Sequence, residues 1–403
     1  MRRMIKVSMT AAAALVLCLM TVAMVRSQVT ATPAPAGFDN QTNGFLVQTD
    51  YDAAKEEFEM IQGRDSGLGP LYNATSCVDC HQNPVTGGSS QVTEVRAGHY
   101  DGANFTPHAG GSLIHDRAVD ESIQPRVLGT DNVRALRSSL SVLGDGFIEA
   151  IDDSTLIEIS NNQPPGMQGE IVMVPVLEAD GALRVGRFGW KDQHASLQSF
   201  SADAYLNEMG ITSPLQPVEN TFDGVSVALP PFKITPDPED PVGFDVNAFT
   251  QFMRSTKVPP RLATAKTPDA IAGAQLFSDA GCNVCHVPTI VTAPVGTSIN
   301  GDTFVVPPAL ASQVIHPYSD FLLHDVGTGD GIVQNGPPDT QYKLRTSPLW
   351  GLRARARFMH DLQSLTLLGA IRRHSIEAQS VIAYFNSLPV RQQQQLLAFL
   401  NSL

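Results

Sequence analysis

The chain has 403 residues, 42% hydrophobic and 17% charged, with a formal charge of −13. Those values suit a globular protein of two or three domains and exclude a disordered or fibrous one. No lysine- or arginine-rich block stands out, so the footprint of a nucleic-acid binder is missing, and the acidic surface favours a basic partner instead.

Residues 1–27, "MRRMIKVSMTAAAALVLCLMTVAMVRS", join a basic head (Arg2, Arg3, Lys6) to an apolar run and then small and polar residues. This reads as an export signal, with small residues at Val25 and Ser27 or at Val29 and Ala31 for cleavage. An uncleaved membrane anchor is the alternative, since the run approaches spanning length. Residues 28–44 read as a disordered linker. A helix is expected in "DYDAAKEEFEMIQ", with Phe58 and Ile61 on its apolar face.

Next comes "SCVDCHQNP", and far downstream "GCNVCHVPT", so that Cys77, Cys80 and His81 are echoed by Cys282, Cys285 and His286. Four cysteines in an exported chain would ordinarily suggest two disulfides, but disulfides leave the adjacent histidines unexplained. A zinc site would have to gather its ligands from both halves, and a dithiol redox motif expects a βαβ setting not seen here. Cys-x-x-Cys-His lets two thiols bind the vinyl groups of a haem while the imidazole ligates the iron. Two c-type haems are the reading that accounts for every residue.

Each motif is followed, at nearly equal separation, by an arginine signature: "RSSLSVLGDGFIEAI" from Arg137 and "RTSPLWGLRARARFMHDL" from Arg345. That regularity supports an internal duplication. Between the copies, "EIVMVPVLEADGALRVGRFGWK" reads as a β-hairpin about Asp180-Gly181. A helix is expected in "DQHASLQSFSADAYLNEMG", a proline-rich connector follows, and "DVNAFTQFMRST" resumes helical period with Asp245 as N-cap. A helix in "DAIAGAQLFSDAG" precedes the second motif, and two helices broken near Leu388-Pro389 end the chain. The expected fold is mainly α: a first cytochrome c-like haem domain over 45–160, hairpin and proline-rich inter-domain material over 161–262, and a second haem domain over 263–403.

These stretches, together with "GLGPLYNATSCVDCH", "IHPYSDFLLHDVGTGDG", "RHSIEA" and "LLAFLNSL", resemble the di-haem oxidoreductases of the bacterial di-haem cytochrome c peroxidase superfamily over about residues 45–403. The resemblance implies a periplasmic protein with two covalent haems, His81 and His286 being the proximal iron ligands. It implies that His374, after His360 of "FMHD", is the sixth ligand of the second haem, with His360 behind it. Leu362 stands where the family usually has glycine, and "HSIEA" where two glycines are usual. For the first haem, the resemblance suggests a proton-handling glutamate. Glu149 is the nearest candidate, in the place that His360 holds in the second copy and in an apolar setting expected to raise its pKa. His99 is the candidate for a displaceable distal histidine, with His108 and His115 competing.

Trp190 is a candidate relay between the haems, and Arg137 and Arg345 are candidate partners of haem propionates. Calcium occurs between the domains of such relatives, although no compact acidic loop points to it here. The leading expectation is reduction of hydrogen peroxide with electrons from a small donor cytochrome. An electron carrier without substrate chemistry, or an oxidase of a protein or thiol substrate, is the alternative. No nucleic acid is expected as a partner, and a membrane only if the N-terminal segment is uncleaved.

Overall fold

In the computed structural model, which describes residues 31–403, the helix ahead of each Cys-x-x-Cys-His motif packs on a helix from far along the chain. The expected export signal over 1–27 lies outside the described residues. The helices in chain order are α1 (Gln48–Glu59), α2 (Asp145–Glu149), α3 (Asp153–Asn162), α4 (Leu197–Met209), α5 (Phe244–Ser255), α6 (Pro268–Asp279), α7 (Leu367–Arg372), α8 (Gln379–Ser387) and α9 (Val390–Leu400).

In the first half α1 buries Tyr51, Ala54 and Phe58, three and four residues apart and therefore on one face. That face meets α5, with the Phe58 ring 4.6 Å from Phe252 and 6.1 Å from Phe249. In the second half α6 meets α9, with Phe277 and Phe399 rings 5.3 Å apart. Gly273 permits that crossing, because a Cβ there would lie 1.9 Å from the Gln395 carbonyl oxygen. The expected face residues Ile61 and Ile271 point outward instead.

The mainly α expectation is corrected by the strand content: 32% of the structure is helical and 16% is strand, spread over several small sheets. The largest sheet centres on the strand Thr93–Tyr100, which pairs antiparallel with Val133–Ser138 on one edge and with Phe105–Pro107 and Leu113–Ile114 on the other. Its sequence, "TEVRAGHY", carries glycine and charge and suggests a polar loop. Pairing on both edges satisfies its backbone groups and buries Ala97 completely, and this tertiary gain outweighs weak local propensity. The hairpin stands where expected, Met173–Val176 against Ala182–Val185, with Asp180 and Gly181 both at positive φ in the turn.

The stretch 161–262 does more than connect. It supplies α4 and α5, and α5 packs against both α1 and α4. Capping of α5 differs from expectation: Gly243 is the N-cap, and the Asp240 carboxylate accepts from the backbone N–H groups of Phe244 (2.7 Å) and Val246 (3.3 Å). Asp245 instead accepts the Tyr205 hydroxyl at 2.6 Å. Residues 32–44, expected as a disordered linker, are held to the body. Thr32–Pro33 pairs parallel with Gln313–Val314, and Asn43 donates to the Arg254 and Thr256 carbonyls.

Glu149 occupies the meeting point of these elements. Its carboxylate takes a two-point ion pair from Arg254 of α5 (2.6 and 2.9 Å), the first N–H of α4 at Leu197 (2.8 Å) and the Asn300 amide (2.9 Å). Burial alone would push its carboxyl up, but the Arg254 guanidinium and these donors outweigh burial and leave it lowered. The expectation of a raised, proton-delivering Glu149 is therefore corrected: its oxygens are saturated. Removing one partner of a buried ion pair strands the other charge, so Glu149→Ala should cost about 3–5 kcal/mol in denaturant unfolding. A loss below about 1 kcal/mol, the range of an exposed pair, would contradict this account.

Candidate functional site

Both cysteine motifs form the same tight turn. Cys77–Asp79 and Cys282–Val284 are short 3-10 helices, closed by His81 N–H to the Cys77 carbonyl and His286 N–H to the Cys282 carbonyl, each 3.0 Å. Helical spacing of three and four residues places the two sulfurs and the imidazole on one face. Cys77, Cys80 and His81 accordingly line one cavity, and Cys282, Cys285 and His286 line another. All four thiols are free, so the disulfide alternative is not realised. A phenylalanine from the preceding helix packs near each histidine: Phe58 lies 6.1 Å from the His81 ring and Phe277 lies 6.2 Å from that of His286. Burial holds both imidazoles down at about 4, hence neutral with a free nitrogen lone pair, as an iron ligand requires.

In the second cavity, of about 200 Å³, the His286 and His374 rings face each other with centres 6.4 Å apart. His286 Nδ1 is bound to the Tyr318 carbonyl (3.0 Å) and His374 Nδ1 to that of Ala370 (2.9 Å), which leaves both Nε2 atoms free. Two imidazole nitrogens each about 2 Å from a shared metal ion place the ring centres about 6 Å apart. The pair thus fits the two axial positions of one haem iron. Arg345, buried, and Arg355, half-buried, line the same cavity. Arg355, missed in the sequence, is pulled down to about 10 by burial and by Arg345 and meets only the Ser347 hydroxyl and the Pro348 carbonyl. Both guanidiniums suit propionates.

The first cavity is larger, about 970 Å³, at the upper end of the range for cofactor sites. His81 Nδ1 has no hydrogen-bond partner there. Arg137 lines it and spends two nitrogens on Asp330 (2.7 Å) and Gln334 (2.6 Å), while its Nη2 is buried without a partner. An orphaned guanidinium nitrogen beside a cysteine motif fits a haem carboxylate. The candidate distal histidines separate clearly. His99 is exposed on the Thr130 carbonyl, and His108 is ion-paired with Asp131 and Asp223. Only His115 of the three lines the cavity, held neutral by burial and committed to Asn220 and the Asn207 backbone. Glu149 is not among the lining residues. Glu94 and Glu208, which carried no motif, are.

A second internal repeat explains the difference between the cavities. Phe188 and Phe358 each bridge to the residue six further on, His194 and Ser364. Gly189 and Met359 both have positive φ (79° and 69°), as do Asp192 and Leu362 (50° and 54°). Ser196 and Thr366 then cap α4 and α7 by accepting from the N–H three residues on. At this constant separation the counterpart of His360 is Trp190, which corrects the pairing of His360 with Glu149. The counterpart of His374 is Ala204, which lines the first cavity and offers no ligand.

Trp190 lines both cavities. Its indole donates to the Ser138 carbonyl at 2.8 Å, and its ring meets His360 edge-on at 6.0 Å. The acidic cluster Glu219, Asp237 and Glu239 has a cation already in its midst, the buried Lys233 ammonium.

A family model described as "Di-haem oxidoreductase, putative peroxidase" matches residues 112–403, and the chain belongs to that family. It is a di-haem redox enzyme, as the two cavities indicate. No curated protein matches it. Among solved structures, hydrazine synthase of Kuenenia stuttgartiensis, pressurised with xenon, is 14% identical over 100% of both chains with a TM-score of 0.41. A MauG-like protein associated with microbial copper homeostasis is 15% identical over 93% of each, with a TM-score of 0.40.

The two-imidazole geometry predicts that His374→Ala converts the second haem from a low-spin to a high-spin electron paramagnetic resonance signal, leaving the first unchanged. An unaltered low-spin signal would remove His374 from the iron.

Proposed function

We propose that this protein is an exported, periplasmic peroxidase that reduces hydrogen peroxide at the first site with electrons that enter through the second. The observation that carries this reading is the replacement of His374 by Ala204 at the equivalent place in the first cavity. One site has two facing imidazoles and suits electron relay, whereas the other keeps room for a small oxidant. Haem, covalently held as c-type, supplies the redox chemistry when bound.

The chain's own part is to position, insulate and neutralise. Cys77, Cys80, Cys282 and Cys285 fix each macrocycle through thioether bonds. His81 and His286 present a neutral nitrogen. Arg137 Nη2 on one side, and Arg345 and Arg355 on the other, balance propionate charge. Trp190 bridges the two cavities as the oxidisable aromatic on the electron's route. The donor is a small redox protein with a basic face, complementary to the acidic surface of this chain.

The test uses the purified holoprotein. Both haems should stay attached after denaturation, and Cys77→Ala with Cys80→Ala should release one. The half-reduced protein should show one high-spin haem that binds peroxide and cyanide, together with peroxide-dependent oxidation of a reduced donor cytochrome. Two haems that remain low-spin and bind neither ligand in any redox state would contradict the proposal and favour an electron carrier.

A further inference from the structure

We propose that Lys191 is a positioning residue for the first haem: acting through Asp330 and Arg137, its ammonium leaves one positive charge free for a haem carboxylate and so raises the reduction potential of that haem. The proposal rests on the reading of the first site as the one that receives electrons, with Arg137 as the partner of a propionate.

Two stretches that the haem motifs do not explain meet here, "GRFGWK" over 186–191 and "VGTGDG" over 326–331. Lys191 follows Trp190, yet its side chain is fully buried. Its Nζ lies close to four oxygens: the carbonyls of Thr340 (3.0 Å), Gln341 (3.0 Å) and Lys343 (2.7 Å), and the Asp330 carboxylate (3.1 Å). Gly329 permits that meeting, because a Cβ there would lie 2.1 Å from the Tyr342 carbonyl oxygen. The Asp330 oxygen that faces Lys191 also accepts from Ile332 N–H at 3.0 Å, and the other oxygen accepts from Arg137 Nε at 2.7 Å.

These three side chains are at most 2% exposed and carry two positive charges to one negative. Glu94 and Arg96, which also act on Arg137, pair with each other at 2.7 and 3.1 Å and add no net charge. Burial pulls Lys191 down to about 8, against the pull of Asp330, so it is charged at neutral pH. Burial would raise Asp330, but Arg137 and Lys191 outweigh it and hold the carboxyl low. An unbalanced buried charge is costly. Among the three, the donor left without a partner is Arg137 Nη2, on the wall of the first cavity. A propionate there would bring the count to two cations and two anions. Without the Lys191 charge, Asp330 alone would balance Arg137, and the same propionate would place an uncompensated negative charge beside the haem. Negative charge disfavours gain of an electron. The step concerned is the passage of one electron, in which the second haem is oxidised from ferrous to ferric and the first is reduced from ferric to ferrous.

Potentiometric titration of the holoprotein, followed at the separate optical bands of the two haems, tests this. Lys191→Gln keeps a hydrogen-bond donor and removes the charge. It should shift the one-electron equilibrium of the first haem about tenfold toward the oxidised form, a fall of about 59 mV. The second haem, whose cavity Arg137 does not line, should keep its potential. Asp330→Asn should move the first haem the opposite way, and it supplies the readout if Lys191→Gln fails to retain haem. A purely structural role would not produce shifts of opposite sign. A first-haem potential unchanged in either variant, or equal shifts in both haems, would overturn the proposal. A wild type in which neither haem binds peroxide or cyanide would instead overturn the proposed function, leaving the sign of these shifts untouched.

Discussion

Two copies of one turn, set back to back, hold the rest of this structure in place. Residues 188–196 and 358–366 share a bridge, two left-handed residues and a capped helix, and their central rings, Trp190 and His360, touch edge to face. Each turn is braced by the opposite half. Ser138 N–H donates to the His360 carbonyl at 2.7 Å, and Arg345 N–H to the Trp190 carbonyl at 2.9 Å. The arginine that serves one cavity thus belongs to a strand or bridge that also fixes the other half's turn. Neither cavity can shift far without disturbing its neighbour, which is what the proposed electron path between two haems requires.

On this common frame the halves diverge by a few side chains. The helix that leaves the second turn ends at Arg372, two residues before His374, which lies opposite His286; the helix that leaves the first is longer and carries Ala204 and then Glu208 along the cavity. On the proposed reading, a one-residue difference in ligand capacity separates a closed site from an open one. Saturated charge elsewhere has another purpose. Glu149 with Arg254, and Lys233 with its three carboxylates, lock buried junctions where an unpaired charge would be costly.

The cysteine motifs were legible in the sequence because the Cys-x-x-Cys-His turn is made of adjacent residues, and the helices around them because burial imposes a 3.6-residue period. The hairpin was legible from Asp180-Gly181. The sheet around Thr93–Tyr100 was not, since its stability comes from partners up to 45 residues away (Thr93 with Ser138) rather than from its own composition. The turn repeat was hidden for a different reason. Its conformation is carried by Gly189 in one copy and Met359 in the other, and only Arg187, Phe188, Gln193 and Leu197 recur as Arg357, Phe358, Gln363 and Leu367. Distance from the arginine signature pointed to Glu149 as the partner of His360, whereas backbone geometry points to Trp190.

The claim on which the account turns is that Ala204 marks the missing ligand of the first haem. Placing histidine there, Ala204→His, should convert that haem to a low-spin, two-imidazole species in the resonance Raman spectrum and abolish peroxide binding, with the second haem unchanged. A variant whose first haem keeps its wild-type spin state and still binds peroxide would contradict it.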